Sequence, residues 1–163
     1  MDERIGAEAV AAIVAELAAR RMTVACAESL TGGLLADAFV RVPGASQVFR
    51  GGVCAYAADA KASVLGVDAD RLASTGPVDE GVALEMARGV RRMFGADVAL
   101  ATTGVAGPGP ADGHEAGTVW VAVDSARGSR AALARFPGGR EDVRRAAVRR
   151  AVDLLQGELE RTR

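Results

Sequence analysis

Ser29 lies where an apolar segment gives way to small and polar residues, in the sequence Ala-Glu-Ser-Leu-Thr-Gly-Gly at positions 27–33. When a strand turns through residues such as Thr31, Gly32 and Gly33 into a helix, the first N–H groups of the helix have no internal partner. A serine at such a turn can act as a nucleophile, with these N–H groups as oxyanion donors. The alternative is that Ser29 only caps the helix, since serine is a preferred N-cap residue. This segment alone favours the cap.

Lys61 shifts the balance towards catalysis. It is the only lysine among 20 basic residues, and Tyr56, five positions earlier, is the only tyrosine. Unlike arginine, lysine has an amine that can lose its proton when it is desolvated or lies near another cation. Lys61 is therefore a candidate base for Ser29, against the alternative of a solvated lysine on a short helix. Tyr56 could relay a proton, hold the amine, or lie at the rim of a pocket.

A glycine-rich segment at positions 103–110 offers a second chemical feature. Its residues Thr103, Gly104, Gly107 and Gly109 are spaced for neither a dinucleotide fingerprint nor a Walker A loop. Main-chain N–H groups without neighbouring side chains nevertheless suit a phosphate or a carboxylate. A tight connection made rigid by two prolines is an equally supported interpretation.

Two arginines at the start of the last predicted helix could complete an anion site. Arg140 and Arg144 are one helical turn apart and can face one pocket, where they would bind a phosphate bidentately. Ion pairing with the neighbouring Glu141 or Asp142 is the competing interpretation.

The remaining polar candidates indicate structural roles. Glu28 is expected to make an ordinary hydrogen bond to Thr31 or to a main-chain N–H group. His114, the only histidine, has no companion ligand and predicts a solvated loop rather than a metal site. Cys26 and Cys54 lie in apolar segments and are expected to be buried and reduced.

Size and composition predict one domain over residues 1–163, with a core of alanine, valine and leucine. The 20 basic and 21 acidic residues nearly balance, which argues against binding nucleic acid or a membrane surface through bulk charge. The first residues lack the character of a secretory signal, and no apolar segment approaches the ~20 residues that span a bilayer. We therefore expect a soluble, cytoplasmic protein.

Hydrophobic periodicity and turn residues predict alternating helices and strands, followed by a hairpin. Asp59 is expected to cap the short third helix and Asp79 the fourth. Helices are predicted at about 2–21, 31–40, 59–65, from near 79, and 140–161; strands are predicted at 24–27, 48–56, 98–102, 117–124 and 130–136. This order favours a mixed sheet covered by helices on both faces. The serine segment and the glycine-rich segment would then meet beyond the carboxyl ends of their strands, where ligands bind in open α/β sheets.

Seven ordered segments, spread over essentially the whole chain, together resemble the CinA C-terminal domain family. They are Ala-Glu-Ser-Leu-Thr-Gly-Gly at 27–33, Phe-Arg-Gly-Gly-Val at 49–53, a tyrosine five residues before the lysine at 61, Leu-Gly-Val at 65–67, Thr-Gly-Val-Ala-Gly-Pro-Gly at 103–109, Gly-Thr-Val-Trp-Val-Ala at 117–122 and Gly-Gly-Arg-Glu-Asp-Val-Arg at 138–144. The resemblance implies a three-layer α/β/α fold with a mixed, mainly parallel sheet. It also implies a nicotinamide-nucleotide amidase, which hydrolyses nicotinamide mononucleotide to nicotinate mononucleotide and ammonia. Ser29 would be the nucleophile and Lys61 and Tyr56 its activating partners, with no metal or cofactor.

The chain departs from the family pattern between Gly109 and Gly117, where it reads Pro-Ala-Asp-Gly-His-Glu-Ala and is one residue shorter. The expected partner is a small pyridine nucleotide, its phosphate lying against the glycine-rich segment with Arg140 or Arg144. Alanine- and arginine-rich outer helices would permit a homodimer. The absence of the extra N-terminal domain of longer members implies a stand-alone form. The rival functions are a non-catalytic nucleotide sensor and an interaction module associated with competence or DNA damage.

Overall fold

The computed structural model describes residues 3–161, and the side chains of residues 6–161. Along this part of the chain, strands and helices alternate up to the third strand, and an antiparallel hairpin and a long helix follow. The elements are α1 (Glu3–Ala19), β1 (Val24–Glu28), α2 (Leu34–Val40), β2 (Phe49–Cys54), α3 (Ala58–Leu65), α4 (Ala69–Thr75), α5 (Glu80–Phe94), β3 (Val98–Gly104), β4 (Thr118–Ser125), β5 (Gly128–Arg135) and α6 (Arg140–Arg161), with one turn of 3₁₀-helix at Ala45–Gln47.

The five strands form one mixed sheet in the order β2-β1-β3-β4-β5. β1 pairs in parallel with β2 and with β3, and the pairs β3–β4 and β4–β5 are antiparallel. Four of the five strands therefore run in one direction. The chain leaves β1 for β2 on one side and returns to β3 on the other, so the carboxyl ends of these three strands meet at a crossover point where ligands bind in such sheets.

Helices cover both faces of the sheet, which confirms the three-layer α/β/α fold. On one face α1, α2 and α6 pack against one another, and α6 contacts β3 and β4. On the other face α5 contacts all five strands, with α3 and α4 packed beside it. No helix within residues 3–161 has the length and apolar character needed to cross a membrane.

The two faces of the central strands differ in side-chain size. Successive side chains of a strand alternate between faces, so each strand contributes one set to each layer. The face beneath α1, α2 and α6 carries Val24, Cys26, Val98 and Leu100. The buried hydrophobic residues that β1 and β3 contribute to the face beneath α5 are all alanine, at Ala25, Ala27, Ala99 and Ala101. The small side chains let α5 lie close to the sheet, and they confirm the expected alanine, valine and leucine core.

Most predicted elements are confirmed, with corrections at their ends. The first helix ends at Ala19 rather than Arg21, and its predicted first residue, Asp2, lies outside the described residues. The second helix begins at Leu34 rather than Thr31, because residues 29–33 form a turn that ends at Gly33, whose φ is 101°.

Asp59 does not cap α3. The N-cap position is Ala57, and the Asp59 carboxylate accepts a hydrogen bond from the Ala60 N–H. Asp79 caps α5 as predicted, because its side chain accepts from the N–H of Val82 at 3.1 Å.

The sequence prediction missed α4 and misplaced one cysteine. No residue of α4 is buried, so the helix has no apolar pattern; Asp68 starts it by accepting from two N–H groups. Cys26 is buried as expected, but Cys54 is exposed, because it ends β2 at an edge of the sheet.

Candidate active site

A cleft of about 300 Å³ lies beyond the carboxyl ends of β1, β2 and β3. Ser29, directly after β1, and Lys61 of α3 lie in its wall. The rest of the wall comes from four connecting segments, from the end of β3 and from the first residue of α6: Leu30, Tyr56, Pro77, Val78, residues 103–109, Ala111, Asp112 and Arg140. The cleft therefore gathers most of the predicted site residues from positions far apart in the chain.

Ser29 and Lys61 are in direct contact. The Lys61 Nζ donates a hydrogen bond to the Ser29 Oγ at 2.9 Å. Lys61 is fully buried, with 0% of its surface exposed, and Ser29 is 7% exposed. This excludes the interpretation of Lys61 as a solvated lysine.

Two main-chain carbonyls hold the other side of the amine. The Lys61 Nζ also donates to the carbonyl of Ala55 at 2.8 Å and to that of Tyr56 at 3.0 Å. Both carbonyls lie between β2 and α3, so the end of β2 and the start of the lysine's own helix form the cradle. A neutral amine has two N–H groups and one lone pair. With its two protons on the carbonyls, Lys61 would direct its lone pair at the Ser29 hydroxyl.

The pKa of Lys61 is lowered from the ordinary value of 10.5 to about 8. The main cause is burial, which disfavours the charged ammonium. The negative charge of Asp112 acts in the opposite direction and raises the pKa. A substantial fraction of Lys61 is therefore neutral near pH 8, as a general base requires.

Tyr56 holds the amine, but through its main chain. Its side chain is 63% exposed, and the phenol oxygen accepts a hydrogen bond from Arg140 Nη2 at 3.0 Å. Arg140 also donates from Nη1 to the carbonyl of Gly107 at 2.7 Å. The phenol makes no hydrogen bond to Ser29 or Lys61 among the described residues. The structure thus corrects the expectation that this side chain activates the serine, and places it at the rim of the cleft beside Arg140.

Glu28, rather than Ser29, caps helix α2. The fully buried Glu28 carboxylate accepts from the N–H groups of Gly33 at 3.0 Å, Leu35 at 3.0 Å and Ala36 at 2.9 Å. These are the N–H groups that a helix start leaves without internal partners. The carboxylate thus satisfies the helix, as the predicted structural hydrogen bond, and leaves the serine hydroxyl to Lys61.

Of the N–H groups of Thr31, Gly32 and Gly33 that were candidates to bind an oxyanion, two are already bonded within the protein. The N–H of Gly32 donates to the carbonyl of Ser29 at 3.1 Å, and the N–H of Gly33 donates to Glu28. The Thr31 hydroxyl is bonded to that of Thr102 at 2.8 Å. Within residues 3–161 the N–H groups of Leu30 and Thr31 have no acceptor, and of these two residues Leu30 lines the cleft.

The glycine-rich segment lines the cleft along residues 103–109, and its first two residues also hold it against neighbouring elements. The Thr103 hydroxyl donates to the carbonyl of Pro77 at 2.7 Å, which ties the segment to the loop before α5. Gly104 packs so closely on β4 that an added Cβ would lie 2.5 Å from the Thr118 carbonyl. Gly107 and Gly109 have φ values of 87° and 75°, which an L side chain rarely adopts, and both line the cleft. The Pro77–Val78 wall was not predicted.

Arg140 and Arg144 do not face the same pocket. Arg140 lies at the cleft, but Arg144 donates from Nε to the carbonyl of Leu30 and from Nη2 to that of Thr31, both at 2.9 Å. Its Nη1 pairs with Glu141 at 2.8 Å. Arg144 therefore lies behind the serine turn and not in the cleft, which corrects its assignment as a phosphate ligand.

Comparison with known proteins identifies the family to which this fold and site belong. The model of the CinA C-terminal domain matches residues 7–159. The chain belongs to the CinA C-terminal domain family. It is 47% identical over 140 residues to a CinA-like protein of Frankia casuarinae, covering 86% of this chain and 32% of that protein. It is 45% identical over 147 residues to a putative competence-damage inducible protein of Shouchella clausii, covering 90% and 35%.

The chain spans about a third of the length of these two CinA relatives. Solved structures match it over nearly its whole length. The competence damage-inducible protein A (ComA) of Klebsiella pneumoniae superposes with a TM-score of 0.92 at 36% identity, covering 95% of this chain and 97% of that chain. The competence/damage inducible protein CihA of Agrobacterium tumefaciens gives 0.91 at 34% identity, with 95% of each chain covered.

Acidic and thiol side chains in this CinA domain do not assemble into a metal centre within residues 3–161, where no group of three or more His, Cys, Asp or Glu could hold an ion. His114 is half-buried in the loop that departs from the family pattern, and its main chain pairs with Ala111 across a short bridge. The chemistry that the described site offers is that of a serine hydroxyl beside an amine of lowered pKa.

Proposed function

We propose that this CinA domain is an amidohydrolase that converts nicotinamide mononucleotide to nicotinate mononucleotide and ammonia. The observation that carries the proposal is the 2.9 Å contact between Lys61 Nζ and Ser29 Oγ, made by an amine that two carbonyls orient. A hydroxyl becomes a useful nucleophile when an adjacent base takes its proton. The substrate is the one that the family resemblance implies.

In the first half of the reaction, neutral Lys61 accepts the proton of Ser29 as the Oγ attacks the carboxamide carbon. The new C–O bond gives a tetrahedral intermediate whose oxygen carries a negative charge. Lys61 then donates its proton to the departing nitrogen, the C–N bond breaks, and ammonia leaves. The product of this half is an ester between the nicotinoyl group and Ser29.

Water completes the reaction by the same route. Lys61, again neutral, accepts a proton from the water molecule that attacks the ester carbon. When the C–O bond to Ser29 breaks, the serine recovers its proton and the nicotinate carboxylic acid is released. The pyridinium charge of the substrate also supports Lys61 as the base, because a positive ring beside Lys61 favours the uncharged form of the amine.

The cleft offers places for the rest of a nucleotide. Arg140 is exposed at the mouth, held by the Tyr56 phenol and the Gly107 carbonyl, and its guanidinium has five N–H groups in all. It is the arginine that we assign to the phosphate, with the main-chain N–H groups of Ala106, Gly107 and Gly109 beside it. The ribose and the pyridine ring would lie between this end and Ser29.

The proposal is tested by measuring ammonia release from nicotinamide mononucleotide with the purified protein. Ser29→Ala and Lys61→Ala should each reduce turnover by at least about a thousandfold, because nucleophile and base act as a unit. Ser63→Ala is the matched control, since it removes an exposed serine from the helix that carries Lys61 and should leave turnover unchanged.

Undiminished turnover in either site variant would rule out the serine–lysine pair. Saturable binding of the nucleotide without ammonia release, equal in wild type and Ser29→Ala, would instead favour the rival function of a nucleotide sensor.

A further inference from the structure

Arg144 reaches from α6 to the turn that carries Ser29 and binds it by its main chain. Its Nε and Nη2 atoms each lie 2.9 Å from a carbonyl oxygen, those of Leu30 and Thr31. The third nitrogen, Nη1, is held by Glu141 one turn earlier on the same helix. The guanidinium plane is thus fixed at one end and bridges two successive peptide groups at the other.

Fixing these carbonyls also fixes the N–H groups of the turn. In a trans peptide the C=O and the N–H point in opposite directions. The carbonyl of Thr31 points at Arg144, so the N–H of Gly32 points away from it, and it donates to the carbonyl of Ser29 at 3.1 Å. That bond fixes the direction of the Ser29 carbonyl. The N–H of Leu30 belongs to the same peptide group, so it points in the opposite direction.

The N–H of Leu30 lies at the cleft and can donate a hydrogen bond to a ligand there. It belongs to the residue directly after the nucleophile, Leu30 lines the cleft, and no described residue accepts from this N–H. In other serine hydrolases whose nucleophile lies on a strand-to-helix turn, the N–H after the nucleophile stabilises the oxyanion. The N–H groups of Gly32 and Gly33 are already bonded within the protein.

We propose that the N–H of Leu30 is an oxyanion donor and that Arg144 is the residue that positions it. The inference rests on the proposed amide hydrolysis at Ser29, since it concerns the charge that develops there. Arg144 touches no substrate atom; it acts through the Thr31 carbonyl, the Gly32 N–H and the Ser29 carbonyl. The guanidinium also packs on Gly32, where an added Cβ would lie 3.4 Å from Nη2.

The experiment separates positioning from phosphate binding by using two substrates. Ammonia release is measured from nicotinamide mononucleotide and from the corresponding riboside, which lacks the phosphate, with wild type, Arg144→Ala, Arg144→Lys and Arg145→Ala. Removing an oxyanion donor outright lowers kcat by about 100- to 1000-fold. Arg144→Ala leaves the donor present but mobile, so we expect kcat to fall by about 10- to 100-fold on both substrates, with KM changed less than about threefold.

The other variants sharpen the interpretation. Arg144→Lys keeps the charge but has a single donor nitrogen in place of a planar fork with two, so it cannot reproduce the two separate contacts to Leu30 and Thr31 and should recover only part of the loss. Methylguanidine added to Arg144→Ala should recover more. Arg145→Ala is the matched control, because Arg145 is the next residue on the helix and pairs with the same Glu141. Its kinetics should equal those of wild type. Thermal unfolding of each variant shows whether the fold is kept.

Two results would overturn the proposal: wild-type kcat in Arg144→Ala, or a loss confined to the KM of the phosphorylated substrate. If wild type hydrolyses neither amide, the proposed function fails, and the positioning role is read instead from the rate at which a fluorophosphonate labels Ser29. There the serine oxygen displaces fluoride from phosphorus, and the phosphoryl oxygen needs the same donor. Slower labelling in Arg144→Ala than in Arg145→Ala supports the role, and equal or absent labelling overturns it.

Discussion

Gly89 of α5 lies directly against the main-chain carbonyl of Leu65 in α3. A Cβ added at Gly89 would lie 1.9 Å from the Leu65 oxygen and 2.9 Å from its carbonyl carbon. Lys61 lies one turn before Leu65 on the same helix, so the close packing of α3 on α5 sets the position of the amine relative to Ser29. The site thus depends on a glycine that is not part of it.

We expect Gly89→Ala to lower the free energy of unfolding by about 2–3 kcal/mol and to reduce turnover. The added methyl group cannot be accommodated unless α3 moves off α5, as in overpacked cores. Gly157→Ala is the control: Gly157 is also helical but has no atom within 4 Å of an added Cβ. There alanine should stabilise the protein by up to about 1 kcal/mol. Urea denaturation measures both, and equal stability of the two variants would contradict the packing argument.

The pH dependence of hydrolysis should follow the protonation of Lys61. Only the neutral amine can accept the serine proton, and its pKa is about 8. Below that pH the neutral fraction falls about tenfold per unit, so kcat/KM should fall with the same slope and level off above the pKa. Steady-state assays between about pH 6 and pH 9.5 measure this. A rate independent of pH between about 6 and 8 would show that Lys61 is not the base.

Asp112→Asn should move the midpoint of that profile to lower pH. The Asp112 carboxylate favours the charged form of Lys61 and raises its pKa, so removing the charge lets burial lower the pKa further. Glu115→Gln is the control, because Glu115 is an exposed acidic residue of the same loop that does not line the cleft. Its profile should match wild type. A midpoint that moves equally in both variants, or upward in Asp112→Asn, would contradict this electrostatic argument.

Glu28→Gln should destabilise the fold. An amide has a single acceptor oxygen, so at least one of the three N–H groups at the start of α2 loses its partner inside the protein. An unsatisfied buried donor costs about 1–3 kcal/mol, and we expect a loss of that size in urea denaturation. Asp37→Asn alters an exposed carboxylate of the same helix and should change stability by less than about 0.5 kcal/mol. Equal effects of the two changes would mean that the cap contributes nothing.

The serine–lysine pair could be predicted from the sequence because both residues are chemically distinctive where they stand. Lys61 is the only amine side chain in an arginine-rich chain, and Ser29 follows an apolar strand and precedes two glycines. The three layers and the mixed sheet could be predicted for a different reason: a chain in which strands and helices alternate can form only a few arrangements.

Main-chain contacts could not be predicted. Lys61 is held by the carbonyls of Ala55 and Tyr56, and Arg144 binds the carbonyls of Leu30 and Thr31. Every residue type has a carbonyl, so no residue pattern marks those that serve as acceptors. For this reason the sequence predicts a catalytic role for the Tyr56 side chain and a phosphate contact for Arg144, whereas in the structure the phenol lies at the rim of the cleft and the guanidinium lies behind the serine turn. Helix α4 was missed because it buries no side chain that could produce a periodic pattern.

The alanine face of the central strands restricts where substrate preference can change. Ala27 and Ala101 lie beneath α5, each two residues before a residue of the cleft wall, Ser29 and Thr103, and a larger side chain there would push the helix away from the sheet. The loop at 105–112 contributes to the cleft wall but to none of the hydrogen bonds of Lys61. Directed evolution towards other amides should therefore accumulate its changes, including insertions, in this loop, while the strand positions stay small.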